Sequence, residues 1–269
     1  MSFRESSLLR EFFMKAAKQR LDLALVERGL ASSRQRAQAM IMAGQVFIDR
    51  QRARKPSDLV TADSQLSISG EESKYASRAG LKLEGALADF SVDVNGRICL
   101  DVGASNGGFT DCLLQHGAQR VYAVDVNTNQ LDWKLQRDAR VRPIKKNARF
   151  LRPEDLVEPV SVITVDVSFI SVSKILPAVV PLAQPDAEFL ILIKPQFELT
   201  KNLVGKGGIV REPALRERAI ASVRTAAEKS GLTILGVQRS RVPGAEGNQE
   251  FFLHARLDSV QSSEPHVQH

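Results

Sequence analysis

The sequence predicts an α/β protein in which a doubly wound, mainly parallel sheet follows a small basic α+β domain. Three features lead there. An apolar run, Arg97-Ile98-Cys99-Leu100, drives into a glycine turn at residues 101–108, and an amphipathic run from Phe109 to Gln115 leaves it, the pattern of strand, turn and helix. A second apolar strand, Val121-Tyr122-Ala123-Val124, ends in Asp125, 24 positions after Asp101. Two further apolar runs, Val160 to Phe169 and Glu188 to Ile193, lack the alternation of a half-exposed strand, as expected of central strands in a parallel sheet.

The chain of 269 residues is long enough for one large or two smaller domains. Its charge is uneven. Residues 1–80 hold 14 Lys and Arg against 9 Asp and Glu, while the remaining residues hold 23 against 22, so most of the net charge of +6 sits in the front third. Such asymmetry points to a polyanionic partner. Cys99 and Cys112 lack a C-x-x-C spacing and fall on a predicted strand and helix, which reads as two buried free thiols in a reducing compartment. No metal-ligand cluster is visible, no apolar run is long enough to span a bilayer, and no cleavable leader opens the chain. A soluble, cytoplasmic protein is the expectation.

In chain order, residues 1–19 form a polar, basic arm with a small apolar cluster at Leu8, Leu9, Phe12 and Phe13, and Met14 is an alternative start. From Arg20 the pattern sharpens into two short helices. Leu21, Leu25 and Val26 make one face ending at Gly29; Ser32 or Ser33 caps a second helix through Ala37, Met40 and Ile41 to Gly44. Short strands follow at Val46-Phe47-Ile48 and Leu66-Ser67-Ile68, around a turn at Lys55-Pro56-Ser57-Asp58. Arg34 and Arg36 on the second helix, with Arg50, Arg52, Arg54 and Lys55 after the first strand, give a basic surface able to track phosphates on duplex or folded RNA. This domain spans residues 20–69, a polar linker covers 70–78, the sheet domain runs from 79 to 258, and residues 259–269 are a tail.

In the sheet domain, Ser77 to Leu87 reads as a helix whose apolar face carries Leu83, Leu87 and Phe90, with Lys82 off that face. A basic run follows Asp125, from Lys134 to Arg152, and Asn147 follows the presumed third strand. Asp166 falls at the C-terminal end of the fourth apolar strand, beside the crevice where doubly wound sheets bind ligands. Lys194 follows the next strand, 28 positions on, at the same sheet edge. Lys201 to Arg211 is a glycine-rich loop suited to a lid; a helix over 212–231 and strands near 232–236 and 251–255 complete the sheet, with Glu250 opening the last of these.

The turn reads D-x-G-x-x-x-G-G, with Ser105 where the dinucleotide fingerprint has its second glycine. It resembles the first motif of class I methyltransferases, which implies a Rossmann-like class I methyltransferase sheet binding S-adenosylmethionine. Asp101, Gly103, Ser105, Gly107, Gly108 and Phe109 would form the cofactor loop, Asp101 near the amino-acid end. Asp125 would reach the ribose hydroxyls, Asn147 the adenine, and Asp166 would border the cofactor. An Asn/Asp-Pro-Pro-aromatic tetrad, common among enzymes acting on exocyclic amines, is replaced here by Asp166-Val167-Ser168-Phe169. A cytosine-C5 mechanism needs a cysteine beyond the cofactor loop, whereas both cysteines flank it.

The stretch RLDLALVERGLASSRQRAQAMIMAGQVFID closely resembles the alpha-L RNA-binding motif, which implies RNA docking through Arg20, Arg34, Arg36, Arg50, Arg52, Arg54 and Lys55. Lys82, Asp166, Lys194 and Glu250 match, in order, the K-D-K-E set of ribose 2′-O-methyltransferases. Together with SRAGLKL, DVGASNGGFTDCLLQ, VDVSFIS, IKPQFE and GKGGIVR, they closely resemble the TlyA family, an alpha-L motif joined to an FtsJ-like methyltransferase domain, whose members methylate cytidine ribose in ribosomal RNA and are called haemolysins in older usage. The resemblance implies a ribosomal RNA or ribosomal-subunit partner and no metal. A lysine serves as general base toward a ribose hydroxyl only where burial or a second cation disfavours its charge; Lys194 is the expected base, Lys82 the second cation, and Asp166 and Glu250 orient the amines. A noncatalytic RNA-binding or ribosome-assembly protein, and a membrane-active haemolysin, are the alternative readings.

Overall fold

The computed structural model describes residues 18–68, 74–244 and 247–259. The expected arm as far as residue 17, residue 69 with the polar joint at 70–73, and the tail from 260 lie outside the described residues. The chain forms two compact units, residues 1–72 and 73–269.

The first unit contains β1 (Gln19–Arg20), α1 (Leu21–Glu27), α2 (Arg34–Met42), β2 (Val46–Ile48), β3 (Gln51–Arg52), β4 (Leu59–Val60) and β5 (Leu66–Ile68). Strands β3, β2 and β5 pair in that order and β1 pairs with β4, all antiparallel. Leu21, Ala24 and Leu25 of α1 pack with Ala37 and Ile41 of α2 and with Val46 and Val60, so the expected helix faces form the core. Ser33 caps α2, its hydroxyl accepting from the Arg36 N–H at 3.1 Å, a bond of the kind that stabilises a helix by about 1 kcal/mol. The two-residue strands β1, β3 and β4 are too short for an alternation pattern to announce them.

The second unit contains α3 (Ala79–Phe90), β6 (Ile98–Val102), α4 (Gly108–Gln115), β7 (Arg120–Asp125), α5 (Trp133–Arg137), β8 (Val141–Lys145), β9 (Val160–Val165), α6 (Leu176–Val179), β10 (Ala183–Ile193), α7 (Pro195–Glu198), α8 (Pro213–Lys229), β11 (Leu232–Arg239) and β12 (Phe251–Leu257). The seven strands lie in the order β11-β12-β10-β9-β6-β7-β8. Neighbours from β10 to β8 run parallel, and β12 is antiparallel to both β10 and β11. The order departs from the six-strand dinucleotide sheet by this antiparallel insertion.

Both faces of the sheet are covered, which explains the unbroken apolar runs. On β10, Phe189, Ile191 and Ile193 point into a core with Leu176 of α6 and Ile220 and Val223 of α8. Leu190 and Leu192 point the other way, into a core with Leu83 of α3 and Phe109, Cys112 and Leu113 of α4. Alternate side chains enter opposite cores, so a hydrophobe is needed at every position.

Residues 74–78, expected within the polar linker, belong to the sheet unit. Tyr75 is 1% exposed and packs in the α3–α4 core, the Ala76 N–H donates to Asp111 at 2.7 Å, and Gln115 donates to the Lys74 carbonyl at 2.8 Å. An aromatic ring buried in this way ties residues 74–78 to the sheet unit. The basic run from 134 to 152 likewise divides among α5, β8 and the following turns. Arg140 is held by Asp138 at 2.8 Å and Lys146 by Asp155 at 2.6 Å, which neutralises part of the expected cationic surface.

Candidate active site

The turn between β6 and α4 is built by close backbone approach. Gly103 has φ +91°, and a Cβ there would overlap the Asp166 carbonyl oxygen, so only glycine lets β6 and β9 end side by side at this height. Gly107 occupies the N-cap position of α4. A Cβ on Gly108 would strike the Ser77 hydroxyl, which binds the segment before α3 against the start of α4.

Above this turn lie two adjoining cavities, of about 180 Å³ and about 510 Å³, that share Gly103, Ser105, Asp166 and Ser168. Ser77, Asn106, Gly108, Phe109 and Lys194 line the smaller one. Asp125, Lys146, Asn147 and Phe169 line the larger. A bipartite crevice on the C-terminal edge of the parallel strands, opened by the N-terminus of α4 and a glycine turn, fits an elongated ligand with a nucleoside at one end and a small charged group at the other.

Asp125 stands where a ribose-binding acid is expected, and its carboxylate also accepts from the N–H groups of Ser105 and Asn127, each at 2.9 Å. Asn147 caps the turn after β8 by accepting from the Arg149 N–H at 3.1 Å. Asp101 lies beneath the turn, fully buried. Thr110 donates to one of its oxygens at 2.7 Å and Thr164 to the other at 3.2 Å. Burial, with a smaller contribution from the charge of Asp166, pushes the Asp101 carboxyl up to about 7 despite these two bonds. Asp101 thus braces the turn from below rather than lining either cavity.

The four residues of the K-D-K-E set form two ion pairs. Lys82 meets Glu250 at 2.5 Å, with side chains 11% and 3% exposed. Lys194 meets Asp166 at 2.6 Å, with side chains 12% and 15% exposed. Sheet register brings three of them to one edge. Ile193 pairs with Phe251 and Ile191 with Val165, so Lys194 and Glu250 stand opposite each other one step beyond the ladder, and Asp166 one step beyond β9. Lys82 arrives from α3 to reach Glu250. Lys82, the expected second cation, is thus paired with Glu250 as Lys194 is with Asp166.

Sequence reasoning gave no role to Ser168, Phe169 or Glu198. Lys194 donates to Ser168 Oγ at 2.9 Å. Phe169 is 91% exposed and has φ +65°, a strained conformation for a bulky residue; its ring sits 5.1 Å from that of Phe197. Glu198 fastens this loop to α7, accepting from Ser171 Oγ at 2.6 Å and from the Val172 N–H at 3.0 Å; burial pushes its carboxyl up. The signal was the motif VDVSFIS itself, where an aromatic follows a central strand. The glycine-rich loop expected as a lid is fastened at its end by the buried Asn248, which accepts from the Val210 N–H at 2.9 Å and donates to the Gly208 carbonyl at 2.8 Å.

In the first unit, the basic residues differ in how they are held. Asp22 is fully buried and accepts from Arg20 at 2.9 and 3.0 Å, from Arg34 at 2.9 Å and from Gln38 at 2.9 Å. The Arg20 guanidinium, followed by Gln38 and Arg34, holds the Asp22 carboxyl well below the usual carboxylate range in spite of burial. Arg52 turns back onto the carbonyls of Gly44 and Ala43. Arg36, Arg50, Arg54 and Lys55 project to solvent.

Comparison with known proteins accords with both units. A model of FtsJ-like methyltransferases matches residues 75–257, and a model of S4 domains matches residues 19–66. The 16S/23S rRNA (cytidine-2′-O)-methyltransferase TlyA of Mycobacterium tuberculosis is 45% identical over 246 residues, 91% of this chain and 92% of that one. Hemolysin A of Brachyspira hyodysenteriae is 40% identical over 237 residues, 87% of this chain and 98% of that one. A solved structure of a candidate hemolysin from Streptococcus thermophilus gives a TM-score of 0.70 at 41% identity, covering 90% of this chain and 89% of that one. The chain belongs to the TlyA family, an S4 domain followed by an FtsJ-like methyltransferase domain.

Proposed function

We propose that this protein is an S-adenosylmethionine-dependent methyltransferase that modifies the 2′-hydroxyl of a cytidine ribose in ribosomal RNA, acting where ribosomes are made and used, in the cytoplasm. The observation that carries the reading is the convergence of Lys82, Glu250, Lys194 and Asp166 at one sheet edge, beside a crevice suited to a nucleoside joined to an amino acid. The M. tuberculosis relative bears this activity in its name.

S-adenosylmethionine, when bound, supplies a methyl group on a sulfonium; the ribose oxygen forms the new C–O bond as the S–CH₃ bond breaks and leaves a neutral thioether. Gly103, Ser105 and Gly108 would hold its amino-acid end, and Asp125 and Asn147 its nucleoside. The chain's own contribution is to the acceptor. Lys194, as the amine, takes the hydroxyl proton, and Asp166 steadies the ammonium that results. Lys82 and Glu250 stand beside this pair as a second, mutually neutralising one. Phe169, exposed at the mouth, offers a ring face to an unstacked base. Most of the acceleration comes from holding oxygen and methyl in line.

The S4 domain would dock on RNA through Arg36, Arg50, Arg54 and Lys55, with Arg20 and Arg34 aimed by Asp22. A membrane-lytic role gains no support from the described residues, among which no helix is long and apolar enough to cross a membrane. The test is transfer of labelled methyl groups to ribosomal subunits and to naked rRNA, followed by nucleoside digestion. Labelled 2′-O-methylcytidine, lost in Lys194→Met, is the expected product; label on a base, or an active Lys194→Met, overturns the reading.

A further inference from the structure

We infer that Ser168 is a positioning residue for Lys194, fixing the direction in which its amine faces the acceptor hydroxyl; this rests on the proposed role of Lys194 as the base.

Beside the Phe197 ring, whose centroid lies 5.9 Å from Lys194 Nζ, the lysine has two polar contacts that differ in kind. Asp166 Oδ1 lies 2.6 Å away but off the hydrogen-bonding direction. That one contact still leaves the lone pair of the amine either of two tetrahedral positions. The directed bond among the described residues is the one to Ser168 Oγ, at 2.9 Å. A lysine amine carries two hydrogens and one lone pair at tetrahedral positions. Committing one hydrogen to Ser168 and turning a second toward the Asp166 charge leaves the lone pair a single direction.

Ser168 is well placed for this task. It is one of the residues shared by the two cavities, beside the crevice proposed to hold the methyl donor. The loop that carries it is held on both sides. Asp166 continues the sheet through its N–H to the Val102 carbonyl at 2.9 Å, and Glu198 fastens Ser171 and Val172 to α7, the helix that begins right after Lys194. The strained backbone at Phe169 is thus clamped between two anchors, and the serine–lysine bond spans a segment that has little freedom to drift. The step served is proton-balanced: the ribose O–H gives its proton to the Lys194 nitrogen as the oxygen takes the methyl group.

The experiment compares Ser168→Ala, Ser168→Thr and Lys194→Met in the full-length protein with rRNA as acceptor. It measures kcat, KM for RNA, the Kd of S-adenosylhomocysteine by calorimetry, and the position of Lys194 in crystals of Ser168→Ala. The expected result is a fall in kcat of roughly 10- to 100-fold for Ser168→Ala, a part of the roughly 10²- to 10⁴-fold that a well-placed acid–base group supplies. KM and Kd stay within about threefold, Lys194 occupies more than one rotamer, and Ser168→Thr restores the rate. An unchanged kcat in Ser168→Ala beside an inactive Lys194→Met overturns the positioning role and leaves the base intact. A loss confined to KM or to Kd also overturns it. An active Lys194→Met removes the base itself, and this inference with it.

Discussion

Replacing Lys82 by Met separates what the Lys82–Glu250 pair does for the fold from what it does for the chemistry. The pair is close, at 2.5 Å, and enclosed, with Glu250 only 3% exposed. Removing the lysine leaves a carboxylate in the protein interior without its counter-charge, and such losses cost about 3–5 kcal/mol. For a unit of about 200 residues each kcal/mol moves the melting temperature by about 2–4 °C, so Lys82→Met should melt roughly 6–20 °C below the wild type. Replacing both partners, as in Lys82→Met with Glu250→Leu, removes the stranded charge; buried pairs exchanged for apolar groups are often neutral in stability. The double variant therefore recovers most of the melting temperature and none of the methyl transfer. Calorimetric melting and transfer of labelled methyl to rRNA read the two properties on the same samples. A single variant that melts within about 2 °C of wild type, or a double variant that methylates at the wild-type rate, refutes the reasoning.

Asp101 governs a pH effect of definite sign. Its folded-state carboxyl is raised to about 7, so between about pH 4 and pH 7 the unfolded chain has released a proton that the folded chain retains, and stability falls as pH rises through that window. The loss reaches at most about 4 kcal/mol above pH 7. Asp101→Asn, which cannot ionise, should gain relative to wild type as urea unfolding is moved from pH 4 to pH 8; a constant difference contradicts the assignment. In the S4 domain, Arg36→Ala should weaken rRNA binding and reduce the slope of log K against log salt by about one, measured by filter binding from low to moderate salt. Asp22→Asn, by contrast, should disorder the aim of Arg20 and Arg34 and cost about 1.5–3 kcal/mol in stability through lost charged hydrogen bonds, read by urea titration. Burial pushes the thiols of Cys99 and Cys112 up to about 12, so neither should alkylate at pH 8 in the folded protein, and both should on unfolding, as mass spectrometry would show.

Much of this molecule could be read from residue order because its elements announce themselves locally. The glycine turn, the apolar strands and the α2 cap are written in stretches of ten residues or fewer. What escaped reading depends on partners far away. Lys82 lies off the apolar face of α3 and looks like a surface lysine until Glu250, 168 positions later, encloses it. Arg20 and Arg34 carry the same signature as Arg36, and only the buried Asp22 between α1 and α2 distinguishes them. Tyr75 sits in a polar neighbourhood that reads as linker, yet its ring has a place in the core between α3 and α4. Phe169 inverts the rule: an aromatic after a central strand is expected to be buried, and this one stands exposed on a backbone at positive φ.

The antiparallel strand explains how residues so distant meet. In a parallel sheet every strand delivers its C-terminal end to the ligand edge, which accounts for Asp166 after β9 and Lys194 after β10. Glu250 precedes its strand. It can reach the same edge only if that strand runs the opposite way, as β12 does. Position matters as much as direction. With β12 inserted between β10 and β11, Glu250 stands one strand from Lys194; at the outer edge of the sheet it would stand about 4.8 Å farther from that lysine. The insertion that departs from the dinucleotide-binding sheet is therefore the feature that completes the four-residue cluster.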